Sequence, residues 1–137
     1  MSILTSIESI LSWYYKKGSE ADIDTLLNER DKLAVWSVKL AMEVADAFQE
    51  YNHSYFVRKV NTSRKINDLI RSKMAVNKAE HEAIEELADI WEKEKEDESH
   101  SHRNDLMLKQ VNKVLDAMNQ RIAYEKDEKR KINFLES

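Results

Sequence analysis

LLNERDKLAVWSVKLAMEVADAFQEYNHSYFVRKV, residues 26–60, is the stretch that decides the fold. It lies in a longer run, from about Asp22 to Lys73, with neither proline nor glycine. Ile23, Leu26, Leu33, Leu40, Val44, Phe48, Tyr51 and Tyr55 recur three, four or seven positions apart, the stripe of a long amphipathic helix. Its span is predicted as residues 20–73. Leu33, Val44, Tyr55 and Ile66 fall on one eleven-residue line, and Leu26, Ser37, Phe48, Lys59 and Ile70 on another. That period predicts a nearly straight helix in a bundle in preference to a supercoiled seam.

On the N-terminal side, Ile3, Ile7, Ile10, Leu11 and Tyr14 mark a short amphipathic helix over residues 3–17. Lys16 and Lys17 suit its negative end. Gly18, the only glycine, follows where a left-handed residue closes many helices. Ser19 with Asp22 then resembles a capping box for the long helix.

On the C-terminal side, the next break is expected in SKMAVN, residues 72–77, with Asn77 and Glu80 as a second box-like start. Beyond it, Ala83, Leu87, Ile90, Glu94, Asp97, Ser101, Asn104, Leu108, Val111, Leu115, Met118 and Ile122 keep an alternating four–three spacing. This predicts a long helix over residues 78–130. EDESHSHRND, residues 96–105, is the place where a loop would interrupt it, near 96–104. The charged end KDEKRKINFLES is expected to fray.

One glycine and no proline in 137 residues, with 35% charged residues, excludes a turn-rich sheet protein. The expected fold is all-α: a short N-terminal helix plus two long antiparallel helices, a coiled-coil-like helical hairpin. The length predicts one elongated domain over 1–137. With no cysteine there is no disulfide or thiol chemistry. MSILTSIESILSWYYKK has no positive n-region, so no signal peptide is expected. No apolar run reaches the ~20 residues of a membrane span. A soluble, cytoplasmic protein that does not engage membranes is the expectation.

Charge favours the hairpin. Residues 58–73 hold six basic side chains against Asp68, and residues 80–98 hold ten acidic ones against Lys93 and Lys95. Folding back near 74–77 sets these blocks side by side, which selects the pairing more than it stabilises it. The same pairing places Phe48, Tyr51 and Tyr55 opposite a polar stretch, so a hairpin alone leaves them half exposed. Either the N-terminal helix or a second subunit is expected to cover them.

Arg58, Lys59, Arg64, Lys65 and Arg71 are the candidate phosphate contacts if nucleic acid is a partner. The adjacent acidic block offers them an intramolecular alternative, and the net charge of −4 gives no global pull. Glu50 with His53, and Asp97 with His100, have the Glu-x-x-His type of spacing found among bundle metal ligands. His53 lies about 200° around the helix from core-facing Tyr51, His100 flanks the seam, and two further core glutamates are lacking, so no metal and no cofactor is expected. No nucleophile elbow, phosphate loop or H-E-x-x-H is present, which argues against an enzyme and leaves no catalytic residue to name. Trp36, Phe48, Tyr51, Tyr55 and Phe56 are the candidate protein-interface residues, since aromatic side chains are enriched in interface cores.

YNHSYFVRKV (51–60), the KAE-rich start (78–80) and LMLKQVNKVLDAMNQRIAYEKDE (106–128) together resemble small helical accessory proteins encoded by phages and prophages, some beside recombination or replication genes. The resemblance spans about residues 25–130 and leaves WYY (13–15) outside. It implies a phage setting and brings no activity or site residues with it. The expected function is a non-enzymatic, self-associating helical interaction protein, an accessory or assembly factor. A nucleic-acid-binding accessory of recombination or replication, or a structural virion component, is the alternative.

Overall fold

The computed structural model describes residues 2–136. Its order is α1 (Ile3–Lys17), a 3-10 turn (Gly18–Glu20), α2 (Ile23–Arg71), α3 (Val76–Glu86) and α4 (Ala88–Glu136). Among the described residues there is no strand, and the fold is all-α as the composition predicts. Among the described residues no helix is long and apolar enough to cross a membrane.

The helix ends have local causes. The Ser2 side chain accepts from the Thr5 backbone N–H and caps α1. Gly18 is not left-handed: its φ/ψ of −61°/−36° are α-helical and it opens the 3-10 turn. Glycine is needed there for space, because a Cβ would lie 2.6 Å from Cδ2 of Tyr14. Arg121 donates to the carbonyls of Gly18 and Ala21, satisfying groups that this turn leaves open. Asp22, and not Ser19, caps α2, its Oδ1 accepting from the Thr25 N–H at 2.7 Å. The Thr25 hydroxyl, and after it this backbone N–H, hold the Asp22 carboxyl below its usual range. Helix α2 ends with Lys73 at φ 69°, where the Lys73 N–H reaches the Ile70 carbonyl and the Met74 N–H reaches that of Leu69. This is a Schellman closure with lysine at the usual glycine position.

Three sequence expectations change in the second half of the chain. Asn77 does not cap: α3 begins at Val76, after Ala75, with no side-chain cap bond. The long third helix is divided, but at Leu87 (φ/ψ −104°/22°) instead of near 96–104. No glycine or proline marks this interruption. Residues 96–104 are helical, and α4 continues to Glu136 where fraying was expected.

The chain divides into two compact units, residues 1–43 with 105–137 and residues 44–104. In each, a stretch of α2 packs against a stretch of α4. The first unit has an apolar core in which Ile7, Ile10 and Leu11 of α1 are buried together with Leu26, Leu33 and Leu40 of α2. Val111, Val114, Met118 and Ile122 of α4 complete it. Full burial of each large aliphatic side chain contributes roughly 1.5–3 kcal/mol. The second unit is built differently. Its buried apolar residues are Ala47, Ala79 and Ala83, and beside them Ser54, Glu94, Asp97 and Asn104 are buried polar residues.

Burial along α2 corrects the eleven-residue reading. Leu26, Leu33, Leu40, Ala47 and Ser54 are buried at strict seven-residue steps. Tyr55, Phe48 and Ile70, which the eleven-residue lines placed inside, are exposed. A seven-residue period is the pattern of a supercoiled seam.

Candidate protein-interaction face

In the second unit, α2 runs through AFQEYNHSYFVRKV, whose buried edge is set by Ala47, Ser54 and the half-buried Tyr51 and Arg58. This edge faces α4 and the last residue of α3 through a ladder of polar contacts. The Ser54 hydroxyl donates to Asp97 Oδ2, and Lys93 Nζ reaches Asp97 Oδ1 at 3.0 Å. Arg58 makes a two-pronged contact with Glu94, Nε at 2.6 Å and Nη2 at 3.0 Å. Lys65 meets Glu86 at 2.5 Å. The order of these contacts is antiparallel, with α2 positions falling as their partners rise. It is the pairing of basic and acidic blocks that the charge pattern predicts.

The ladder sets the protonation states. The Ser54 hydrogen bond, then Lys93, holds the Asp97 carboxyl below its usual range although burial opposes this. Glu94 keeps the Arg58 guanidinium charged more firmly than usual, and Glu86 does the same for the Lys65 ammonium. Burial, reinforced by Glu98 and Glu94, raises the Tyr51 phenol. Arg58 also lies over two rings, 4.7 Å from the centroid of Trp91 and 5.0 Å from that of Tyr55. Such stacking adds to a two-pronged Arg–carboxylate pair in fixing one geometry.

Two of the five candidate phosphate contacts, Arg58 and Lys65, are therefore engaged within the unit. Lys59 lies 5.7 Å from the Tyr55 ring centroid and is exposed, as are Arg64 and Arg71.

The outward side of the same stretch carries the aromatic residues. Phe48 is 55% exposed, Tyr55 41% and Phe56 63%. Tyr51 is half-buried. Ala45, Phe48, Asn52, Tyr55 and Lys59 are all exposed and follow one another in steps of three and four residues, a second seam displaced from the buried one. Trp36 belongs to the other unit, where it is half-buried with Lys39 Nζ 4.7 Å from its ring centroid. Of the five candidate interface residues, the structure thus places four in one unit and Trp36 in the other. The first unit has its own exposed apolar residues on α2, the non-aromatic Val35, Val38 and Met42. Their three- and four-residue spacing was a readable signal.

Two open grooves border the ladder. One of about 500 Å³ is lined by Asp46, Gln49, Glu50, His53, Ser54, Lys93 and Asp97. The other, of about 320 Å³, lies against His53, Ser54, Val57, Asp89, Ile90 and Lys93. Asp97, the one deeply placed carboxylate in the first groove, is already held by Ser54 and Lys93. Among the described residues no group of three or more histidine, aspartate or glutamate side chains is placed to hold a metal ion. Compared with known proteins, the chain matches no family model, no curated protein and no solved structure.

Proposed function

We propose that this chain is a non-enzymatic helical interaction protein that self-associates through the aromatic face of α2 in the second unit. An accessory or assembly role, of the kind the resemblance to phage-encoded helical proteins implies, accords with this reading. The observation that carries it is the exposure of Phe48, Tyr55 and Phe56 on one short stretch of helix. A scattered exposed apolar residue is ordinary, but large aromatics gathered at seam spacing mark interaction surfaces. The buried side of that helix is polar, so the greater apolar area of this stretch faces outward. An enzymatic role finds less support, since Asp97, the most buried carboxylate lining the first groove, is engaged by Ser54 and Lys93.

Light scattering on the full chain at about 100 µM tests the proposal, a concentration at which even micromolar association populates oligomers. The expected result is a mass above that of one chain. Replacing Phe48 and Phe56 together by serine returns the mass to the monomer while the helical circular-dichroism signal stays unchanged. A wild-type chain that is strictly monomeric at that concentration overturns it.

A further inference from the structure

In the first unit one flank of α4 is covered by a third helix. Gln110 donates to the Tyr15 hydroxyl at 3.5 Å, and Arg121 donates to the Gly18 and Ala21 carbonyls in the turn that follows α1. These two residues are eleven apart, three helical turns, and so share a flank. Val114, seven before Arg121, lies on that flank too and is buried. The same place in the seven-residue repeat is held in the second unit by Lys93, twenty-one residues before Val114, and by Asp89, twenty-one before Gln110. Here the flank is open. Lys93 and Asp89 are exposed, and Ile90 is only half-buried, whereas Val111, its equivalent three repeats later, is fully buried. Helix α3 stops at Glu86, before this stretch begins.

The two grooves beside the ladder lie along this open flank. They share His53, Ser54 and Lys93 and so form one slot between α2 and α4. Asp46, Glu50, His53 and Val57 run along its α2 wall in steps of three and four, a length of about three helical turns. Val57 and Ile90 give it a small apolar floor. Its charge is acidic: the carboxylates of Asp46, Glu50, Asp89 and Asp97 meet one ammonium, that of Lys93, which is matched to Asp97. Asp46, Glu50 and Asp89 are left exposed. We propose that this slot takes a basic amphipathic helix of another protein, seated at the place in the repeat that α1 fills in the first unit. Its apolar side rests on Val57 and Ile90, and its cations reach Asp46, Glu50 and Asp89. The chain's own basic run, residues 58–73, is not that helix, since it belongs to α2 and is tied to Glu94 and Glu86 through Arg58 and Lys65. Asp46, Glu50 and His53 each stand two residues, about 200°, from Phe48 or Tyr55, so the slot is separate from the aromatic face. Neither proposal depends on the other.

Fluorescence anisotropy on the full-length chain tests this with a labelled peptide of about fifteen residues, leucine along one helical face and lysine on the other, and with its glutamate counterpart. The lysine peptide is expected to bind and the glutamate peptide not to. Replacing Asp46 and Glu50 together by lysine is expected to weaken binding at least about tenfold, with the helical circular-dichroism signal unchanged. The neutral pair Asp46→Asn and Glu50→Gln, a milder change to the fold, is expected to give a smaller loss in the same direction. Glu8→Lys with Asp127→Lys makes the same change of net charge on exposed residues of the first unit and is expected to leave binding within about twofold. Equal losses in the two charge-reversed proteins mean attraction to net charge alone and overturn the seat. Failure of the lysine peptide to bind, or equal binding of the glutamate peptide, overturns it as well. If reversal at Asp46 and Glu50 instead lowers the mass found by light scattering, the slot seats a second copy and the basic partner is overturned.

Discussion

Lys73 holds a backbone φ of 69° at the close of α2, and its side chain is exposed. A left-handed backbone costs an ordinary L-residue roughly 1–2 kcal/mol, and glycine escapes that cost. Both hydrogen bonds of the closure use backbone groups only, so they survive loss of the side chain. Lys73→Gly is therefore expected to stabilise the chain by about 1 kcal/mol, less what glycine loses through its freer unfolded state. Urea unfolding with an unchanged slope would measure it, and a fall in the midpoint would contradict it. Asp97 presents the opposite case, a residue whose charge is needed. Its folded pKa lies below the unfolded one, so its contribution is present above the usual carboxylate range and is lost as pH falls through that range. Asp97→Asn is expected to cost about 1–2 kcal/mol near neutral pH, the scale of a hydrogen bond to a charged group. Thermal melts of the two proteins should draw together as pH falls from about 7 toward 2, because protonated Asp97 resembles asparagine. A gap that is constant over this range would show that the charge of Asp97 does not matter.

At the scale of the helices, α1 was legible to its ends because Ile3, Ile7 and Ile10 point one way and Gly18 stops the run. The four–three register of α4 was equally legible through its polar section. Glu94, Asp97 and Asn104 are buried where that register puts them. The eleven-residue reading of α2 failed for a physical reason. Aromatic side chains were assigned inward for being apolar, whereas the inward line of the second unit is made of Ala47 and Ser54. Small residues there leave room for Arg58, Trp91 and Glu94 to stack between the helices. Hydropathy cannot rank a serine above a phenylalanine for burial; only the strict seven-residue step from Leu26, Leu33 and Leu40 could have done so. The interruption at Leu87 was illegible for another reason. EAIEELAD, residues 82–89, favours helix throughout, and the departure involves one residue whose N–H still bonds to the Ala83 carbonyl. The candidate face was half legible: its residues could be named, but which of them share a unit with Trp36 required the packing.

For the molecule as a whole, the contrast between the two units makes a prediction that neither helix alone would make. Each of α2 and α4 contributes to both units, so propensity along one helix does not set local stability; what it packs against does. In the first unit the buried contacts are aliphatic, from Ile7 to Ile122, and their strength does not depend on ionic strength. In the second, alanines bury little area and the ladder from Ser54–Asp97 to Lys65–Glu86 supplies the specific contacts. Paired charges of this kind offset their own desolvation only partly, and the exposed ones contribute at most about 1 kcal/mol. Local opening should therefore be easier in the second unit. Hydrogen–deuterium exchange is expected to show amides at 90–104 of α4 exchanging at least about tenfold faster than those at 108–122 of the same helix. At about 1 M salt, where the screening length is near 3 Å, the exposed Lys65–Glu86 pair weakens, and exchange in the second unit should rise while the first is unmoved. The exchange must be read at a concentration low enough to keep the chain monomeric, since a second copy on the α2 face would protect the second unit by mass action. Raising the concentration then slows exchange at residues 45–59 ahead of all others if that face is the one that pairs. Uniform slowing along both units would mean that association has another seat.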